Sequence, residues 1–252
     1  MDEPAPDPVL QQPIVIARHR LATRVWHWIN AVCIFIMIGS GLMIFNAHPH
    51  LYWGQYGANF DHPWLSLPRW PGWLTIPSQY DLAFGRRWHL FFALILAFSL
   101  LGFMIASLLN RHFQRDLRFR RAELSPAHVW RDIREHLAFR FHDAANPGAY
   151  NVLQKASYVG TIFILLPLLI FTGLALSPGM NAAWPWLIDL FGGRQSARSI
   201  HFITMALITG FVIVHLTLVI LAGAWNEVRS MITGKWRAPD EERPEPMPEP
   251  AE

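Results

Sequence analysis

Of the twelve histidines in this chain, His27, His89, His201 and His215 each fall within a long apolar block, whereas the rest lie in polar loops or flanks. An ionisable side chain inside a bilayer is costly to hold, so an imidazole in such a block is a functional candidate. Neutral imidazole can ligate a metal, relay a proton or hydrogen-bond a neighbouring helix there. Cys33 is the one cysteine, which excludes an internal disulfide, a Cys-ligated iron-sulfur cluster and a zinc ribbon. The apolar blocks hold no Asp or Glu, the usual members of an intramembrane proton relay. His201 and His215 are 14 residues apart. On a helix, 14 residues correspond to about 40° around the axis and about 21 Å along it. These two histidines therefore face one way at two depths.

The elements that position them follow from composition. The 252 residues are 52% hydrophobic and 15% charged, against about a quarter charged in soluble domains. Four blocks, Val25 to Phe45, Trp88 to Leu109, Ala156 to Leu176 and Ser199 to Ala224, contain no Asp, Glu, Lys or Arg. About 20 residues at about 1.5 Å each cover a hydrocarbon layer of about 30 Å, and lipid requires helices. The expected fold is all-α, an integral-membrane four-helix bundle over residues 24–225. An N-terminal tail (1–23) and a partly disordered C-terminal tail (226–252) flank it. The acidic, proline-rich start, Met1 to Gln12, lacks the order of a cleaved signal peptide, so the first block is expected to stay as a membrane anchor.

Sixteen of the 21 Lys and Arg flank one side of these spans, and Arg69, Arg86, Arg87, Arg194 and Arg198 flank the other. The positive-inside rule then puts both termini and the Arg-rich second loop in the cytoplasm. His27 and His215 fall at the inner level, His89 and His201 at the outer. Two imidazoles from different helices at each depth are what bis-histidine haem ligation needs, with the haems between the helices. A zinc or copper site would usually draw three or four ligands to one depth.

Gly41, 14 residues after His27, falls on the same face at the outer level, where it either makes room for a porphyrin edge or serves ordinary small-residue helix packing. Arg24, Arg87 and Arg198, with Arg18, Arg20 and Arg86, stand near the four histidines, where guanidinium either pairs with haem propionates or snorkels to lipid headgroups. The Arg111 to Arg121 run abuts a span and reads as a solvated or headgroup-facing segment, not a nucleic-acid site. The outer loop from Ala47 to Arg86 carries Trp53, Trp64, Trp70 and Trp73, an interfacial aromatic belt or a docking surface for a partner.

The chain from Ala17 to Trp236 resembles the di-haem cytochrome b subunits of bacterial respiratory oxidoreductases, as in nickel-iron hydrogenase, formate dehydrogenase and thiosulfate reductase. The resemblance rests on Arg24-Val25-Trp26-His27-Trp28-Ile29-Asn30, on Gly85-Arg86-Arg87-Trp88-His89, on Ala197-Arg198-Ser199-Ile200-His201 with His215 beyond, and on the closing Trp225 to Trp236 segment. It implies two b-type haems ligated by His27 with His215 and His89 with His201. It also implies electron transfer across the bacterial inner membrane between a periplasmic molybdenum or nickel-iron enzyme, which the subunit anchors, and the quinone pool, with no catalytic residues beyond possible quinone chemistry. A haem-free anchor or transporter, in which the histidines pair with one another, and a stand-alone quinone-linked haem reductase are the alternatives.

Overall fold

Each of the four apolar blocks is helical in the computed structural model, which describes residues 15–58, 61–110, 119, 123, 125–137 and 152–237. The described chain enters through β1 (Val15–Ala17) and α1 (Leu21–Phe45). Loop one follows, with the two-residue strands β2 (His50–Leu51) and β3 (Leu65–Ser66) and a 3₁₀ turn at Gly72–Leu74, and leads into α2 (Leu82–Leu109). After α3 (Pro126–Leu137), the third span consists of α4 (Val152–Gly160), a π-helical turn (Thr161–Leu165) and α5 (Leu166–Leu176). Two short helices, α6 (Pro178–Ala183) and α7 (Trp186–Leu190), precede α8 (Arg194–Leu221), α9 (Ala224–Thr233) and β4 (Lys235–Arg237). Leu21–Phe45, Leu82–Leu109, Val152–Leu176 and Arg194–Leu221 are long and apolar enough to cross a membrane.

The spans begin earlier than their apolar blocks because their first turns are polar. Asp81 starts α2, its carboxylate accepting the Phe84 backbone N–H at 2.8 Å, which satisfies one of the orphan donors of a helix start. The π-helical turn has a local cause in Pro167. Proline offers no N–H to the carbonyl four residues back and its ring crowds that carbonyl, so the preceding turn widens.

Helix α1 packs on α2, and α5 packs on α8. Between the two pairs lies a core of Cys33 and Met37 from α1, Leu96, Leu100 and Phe103 from α2, Ile162, Leu166 and Leu169 from the third span, and Ile208 from α8. Trp26 closes one end of it, stacked on Phe103 with ring centres 4.0 Å apart.

The described residues on either side of the first and last spans pack together. β1 pairs antiparallel with β4, Ile16 opposite Trp236. Trp236 is 1% exposed, and its indole N–H donates to Glu227 at 2.8 Å, whose carboxylate also takes Arg18 at 3.3 Å. Trp28 donates to the Met231 carbonyl at 3.1 Å, and Arg24 donates to that of Ile232. The segment after span four thus docks α9 and β4 on the start of α1. Residues 1–14, the tail from 238 and the Arg111 to Arg121 run apart from Phe119 lie outside the described residues.

Candidate functional site

Helix α8 supplies one histidine to each of two levels. At the end of the bundle near loop one, His89 of α2 faces His201 of α8, with ring centres 6.2 Å apart and planes at 63°. Near α9, His27 of α1 faces His215 of α8, with ring centres 6.3 Å apart and planes at 59°.

The magnitude of these separations is informative. An imidazole nitrogen lies about 2 Å from a ligated metal and about 1 Å from its own ring centre, so two rings on opposite sides of one iron have centres roughly 6 Å apart. Rings joined directly by an N–H···N bond of about 3 Å would have centres roughly 5 Å apart. Both observed pairs have the longer spacing, that of rings with one atom between them. Among the described residues no three His, Cys, Asp or Glu side chains gather into a group able to hold a metal ion. Each level therefore offers two imidazole nitrogens at a spacing that suits a ligand bringing its own further donors.

The position of His201 is set from outside its own helix. Gly193, before the first turn of α8, has no side chain to cap the helix, and the four leading N–H groups of any helix need partners. Loop one provides them. The Gly54 carbonyl accepts from Gln195 at 3.0 Å and Ser196 at 3.1 Å, the Gln55 side chain accepts from Arg194 at 3.0 Å, and the Gly54 N–H returns a bond to Ser196 Oγ at 2.7 Å. Gly193 is required at this contact. Its φ is +108°, and a Cβ there would lie 2.6 Å from the Gly54 carbonyl carbon. One turn further, Ser199 Oγ donates to the Tyr52 carbonyl at 2.6 Å and accepts from Trp64 Nε1 at 3.0 Å. Loop one is thus fastened to the two turns of α8 that precede His201.

His89 and His201 open on a cavity of about 440 Å³, within the usual range of about 300–1,000 Å³ for cofactor sites. Its walls are apolar, with Ile34, Met37, Leu90, Leu169, Phe202 and Ile208 among them, and its rim carries Arg86, Arg194, Arg198 and His48. Arg198 is held by the backbone of loop one, donating to the His50 carbonyl at 2.9 Å and to that of His48. Arg194 donates to the Leu176 carbonyl at 3.2 Å. Burial, reinforced by the Arg198 charge and by His50, lowers the His48 pKa below its ordinary value. Its Nε2 is buried without a hydrogen-bond partner. A flat apolar ligand with anionic groups at one edge suits such walls and such a rim.

Of the other residues singled out from sequence, Gly41 lines the cavity and lies against His89, where an added Cβ would be 3.3 Å from the ring carbon Cε1. Arg87 is exposed, its guanidinium 5.9 Å from the Phe84 ring centre, and it is Arg86 that lines the cavity. Arg24 is engaged with α9 at the other end. Sequence reasoning passed over three neighbours of the histidines: Ser40, whose Oγ is 3.1 Å from His89 Nδ1, Thr172, whose Oγ1 is 2.9 Å from His201 Nδ1, and Gly173, where a Cβ would be 3.4 Å from His201 Cε1. A hydroxyl residue followed by glycine occurs in the first span as Ser40-Gly41 and in the third as Thr172-Gly173, but also in the fourth as Thr209-Gly210, so this pattern does not single them out.

Residues 18–234 match the family described as prokaryotic cytochrome b561. A putative protein-methionine-sulfoxide reductase subunit of Azospira oryzae is 27% identical over 222 residues, covering 82% of this chain and 92% of its own. A probable Ni/Fe-hydrogenase B-type cytochrome subunit of Cupriavidus necator is 25% identical, covering 84% of this chain and 82% of its own. One of the same description from Azotobacter vinelandii is 24% identical, covering 88% of each. No solved structure matches.

Proposed function

The chain belongs to the prokaryotic cytochrome b561 family, integral-membrane helical bundles that bind b-type haem and transfer electrons, and from that premise we propose that it carries two haems in series across the bacterial inner membrane. The observation that supports this reading is the pair of imidazole separations, 6.2 and 6.3 Å, at two levels of one bundle. His89 and His201 would hold one haem, and His27 and His215 the other. A bound haem supplies one-electron iron chemistry at a potential that ligands, burial and nearby charge adjust.

The chain's own residues have the remaining tasks. The apolar walls around His89 and His201 would keep water from a bound haem, and Arg86, Arg194 and Arg198 would neutralise its carboxylates at the cavity rim. Helix α8 holds both levels in a fixed relation. The excess of Lys and Arg around α1, α3 and α9 argues for both termini in the cytoplasm, which makes the His89 and His201 level the outer one. At that level the subunit exchanges electrons with, and anchors, a periplasmic oxidoreductase. Its relatives, described as subunits of a nickel-iron hydrogenase and of a methionine sulfoxide reductase, support a partner of this class. The quinone pool is the diffusible partner on the other side of the relay, near His27 and His215.

Purified protein assayed as pyridine haemochrome is expected to contain about two b-type haems per chain. His201→Ala is expected to lose one and keep the other. A colourless wild type, or a His201→Ala variant with its full haem complement, would sink the proposal.

A further inference from the structure

The two levels differ in what stands behind their histidines. Thr172 Oγ1 lies 2.7 Å from the Leu168 carbonyl, and Ser40 Oγ lies 2.7 Å from that of Ile36. A carbonyl only accepts, so each hydroxyl commits its single proton to the carbonyl four residues back. Each can then offer its neighbouring imidazole only a lone pair. It follows that His201 Nδ1 and His89 Nδ1 carry the protons and donate them, leaving Nε2 of each ring unprotonated and free to ligate.

The adjacent glycines complete the arrangement. Gly41 and Gly173 let the ring edge approach the opposing helix, with only 3.3 and 3.4 Å between an added Cβ and Cε1 of His89 and His201 respectively. Ser40 and Thr172 are fully buried, each at 0% exposure, so water does not compete for their lone pairs. In both cases the support comes from the other helix of the packed pair: α1 supports the histidine of α2, and α5 supports that of α8. At the second level His27 Nδ1 is buried with no hydrogen-bond partner.

We propose that Ser40 and Thr172 are positioning residues that fix the tautomer and ring rotation of His89 and His201, and so tune the potential of one haem alone. An accepted N–H makes an imidazole a stronger donor to its metal, which favours the oxidised iron and lowers the potential. The proposal rests on the di-haem reading given above.

The test is a redox titration of the full chain in detergent, following the b-type absorption bands and the low-spin electron paramagnetic resonance signals. Ser40→Ala and Thr172→Val are each expected to move one of two midpoints upward and to alter one of two resonance signals. Thr172→Ser, which keeps the hydroxyl, is expected to behave as wild type. Loss of one haem in Thr172→Val with retention in Thr172→Ser supports the same role. Unmoved midpoints in variants that keep both haems, equal shifts of both midpoints, or a Thr172→Ser shift as large as that of Thr172→Val overturn the proposal. A wild type without two titrating haems overturns the di-haem reading itself.

Discussion

The His48 imidazole sits at the cavity rim with a pKa lowered by burial, by the Arg198 guanidinium and by His50. Because the folded value lies below the unfolded one of about 6.5, the unfolded chain binds more protons between the two, and stability falls as pH falls through the folded value. Between pH 7 and pH 5, the melting temperature of His48→Gln in detergent is expected to fall less than that of wild type. Gly41 gives a steric prediction at the same scale. A Cβ there already comes within 3.3 Å of His89 Cε1, so the branched side chain of Gly41→Val is expected to displace the ring and roughly halve the haemochrome yield, since one of the two proposed ligand pairs would be broken. The four histidines were legible in the sequence because imidazole is conspicuous in an apolar span. Ser40 and Thr172 were not, because back-bonded hydroxyls are ordinary in membrane helices, and only the packing of α1 on α2 and α5 on α8 brings them to the rings.

Among the elements, α9 and the β1–β4 pair form a clasp over the start of α1. Glu227 is its centre, accepting from Trp236 at 2.8 Å and from Arg18 at 3.3 Å. Glu227→Ala leaves the buried indole N–H without this acceptor and is expected to cost about 1–3 kcal/mol, read as a lower melting temperature in detergent. The four spans could be read from hydropathy, but their first turns could not, since Leu21 to Arg24, Leu82 to Arg87 and Arg194 to Arg198 carry the charges that end an apolar window. Loop one was legible only as an aromatic, proline-rich stretch. Its attachment to α8 consists of bonds between residues more than a hundred positions apart, such as Gly54 with Ser196 and Trp64 with Ser199, and no local pattern announces them.

For the whole molecule, the expected orientation has a direct measurement. Tyr56, 85% exposed in loop one, and Lys235, exposed in β4, lie at opposite ends of the bundle. A membrane-impermeant maleimide applied to intact cells is expected to label Tyr56→Cys and leave Lys235→Cys unlabelled, with the buried Cys33 silent in both. Labelling of Lys235→Cys alone would reverse the orientation. One property of the relay does not depend on which end faces out. His201 and His215 ride on a single unbroken rod, so the axial spacing of the two histidine levels is a gauge length of about 21 Å set by 14 peptide units. A thicker or thinner bilayer is met by tilting the rod, which leaves distances along it unchanged. Electron hopping weakens steeply with distance, so its rate in this protein should be insulated from the lipid composition of the membrane that hosts it.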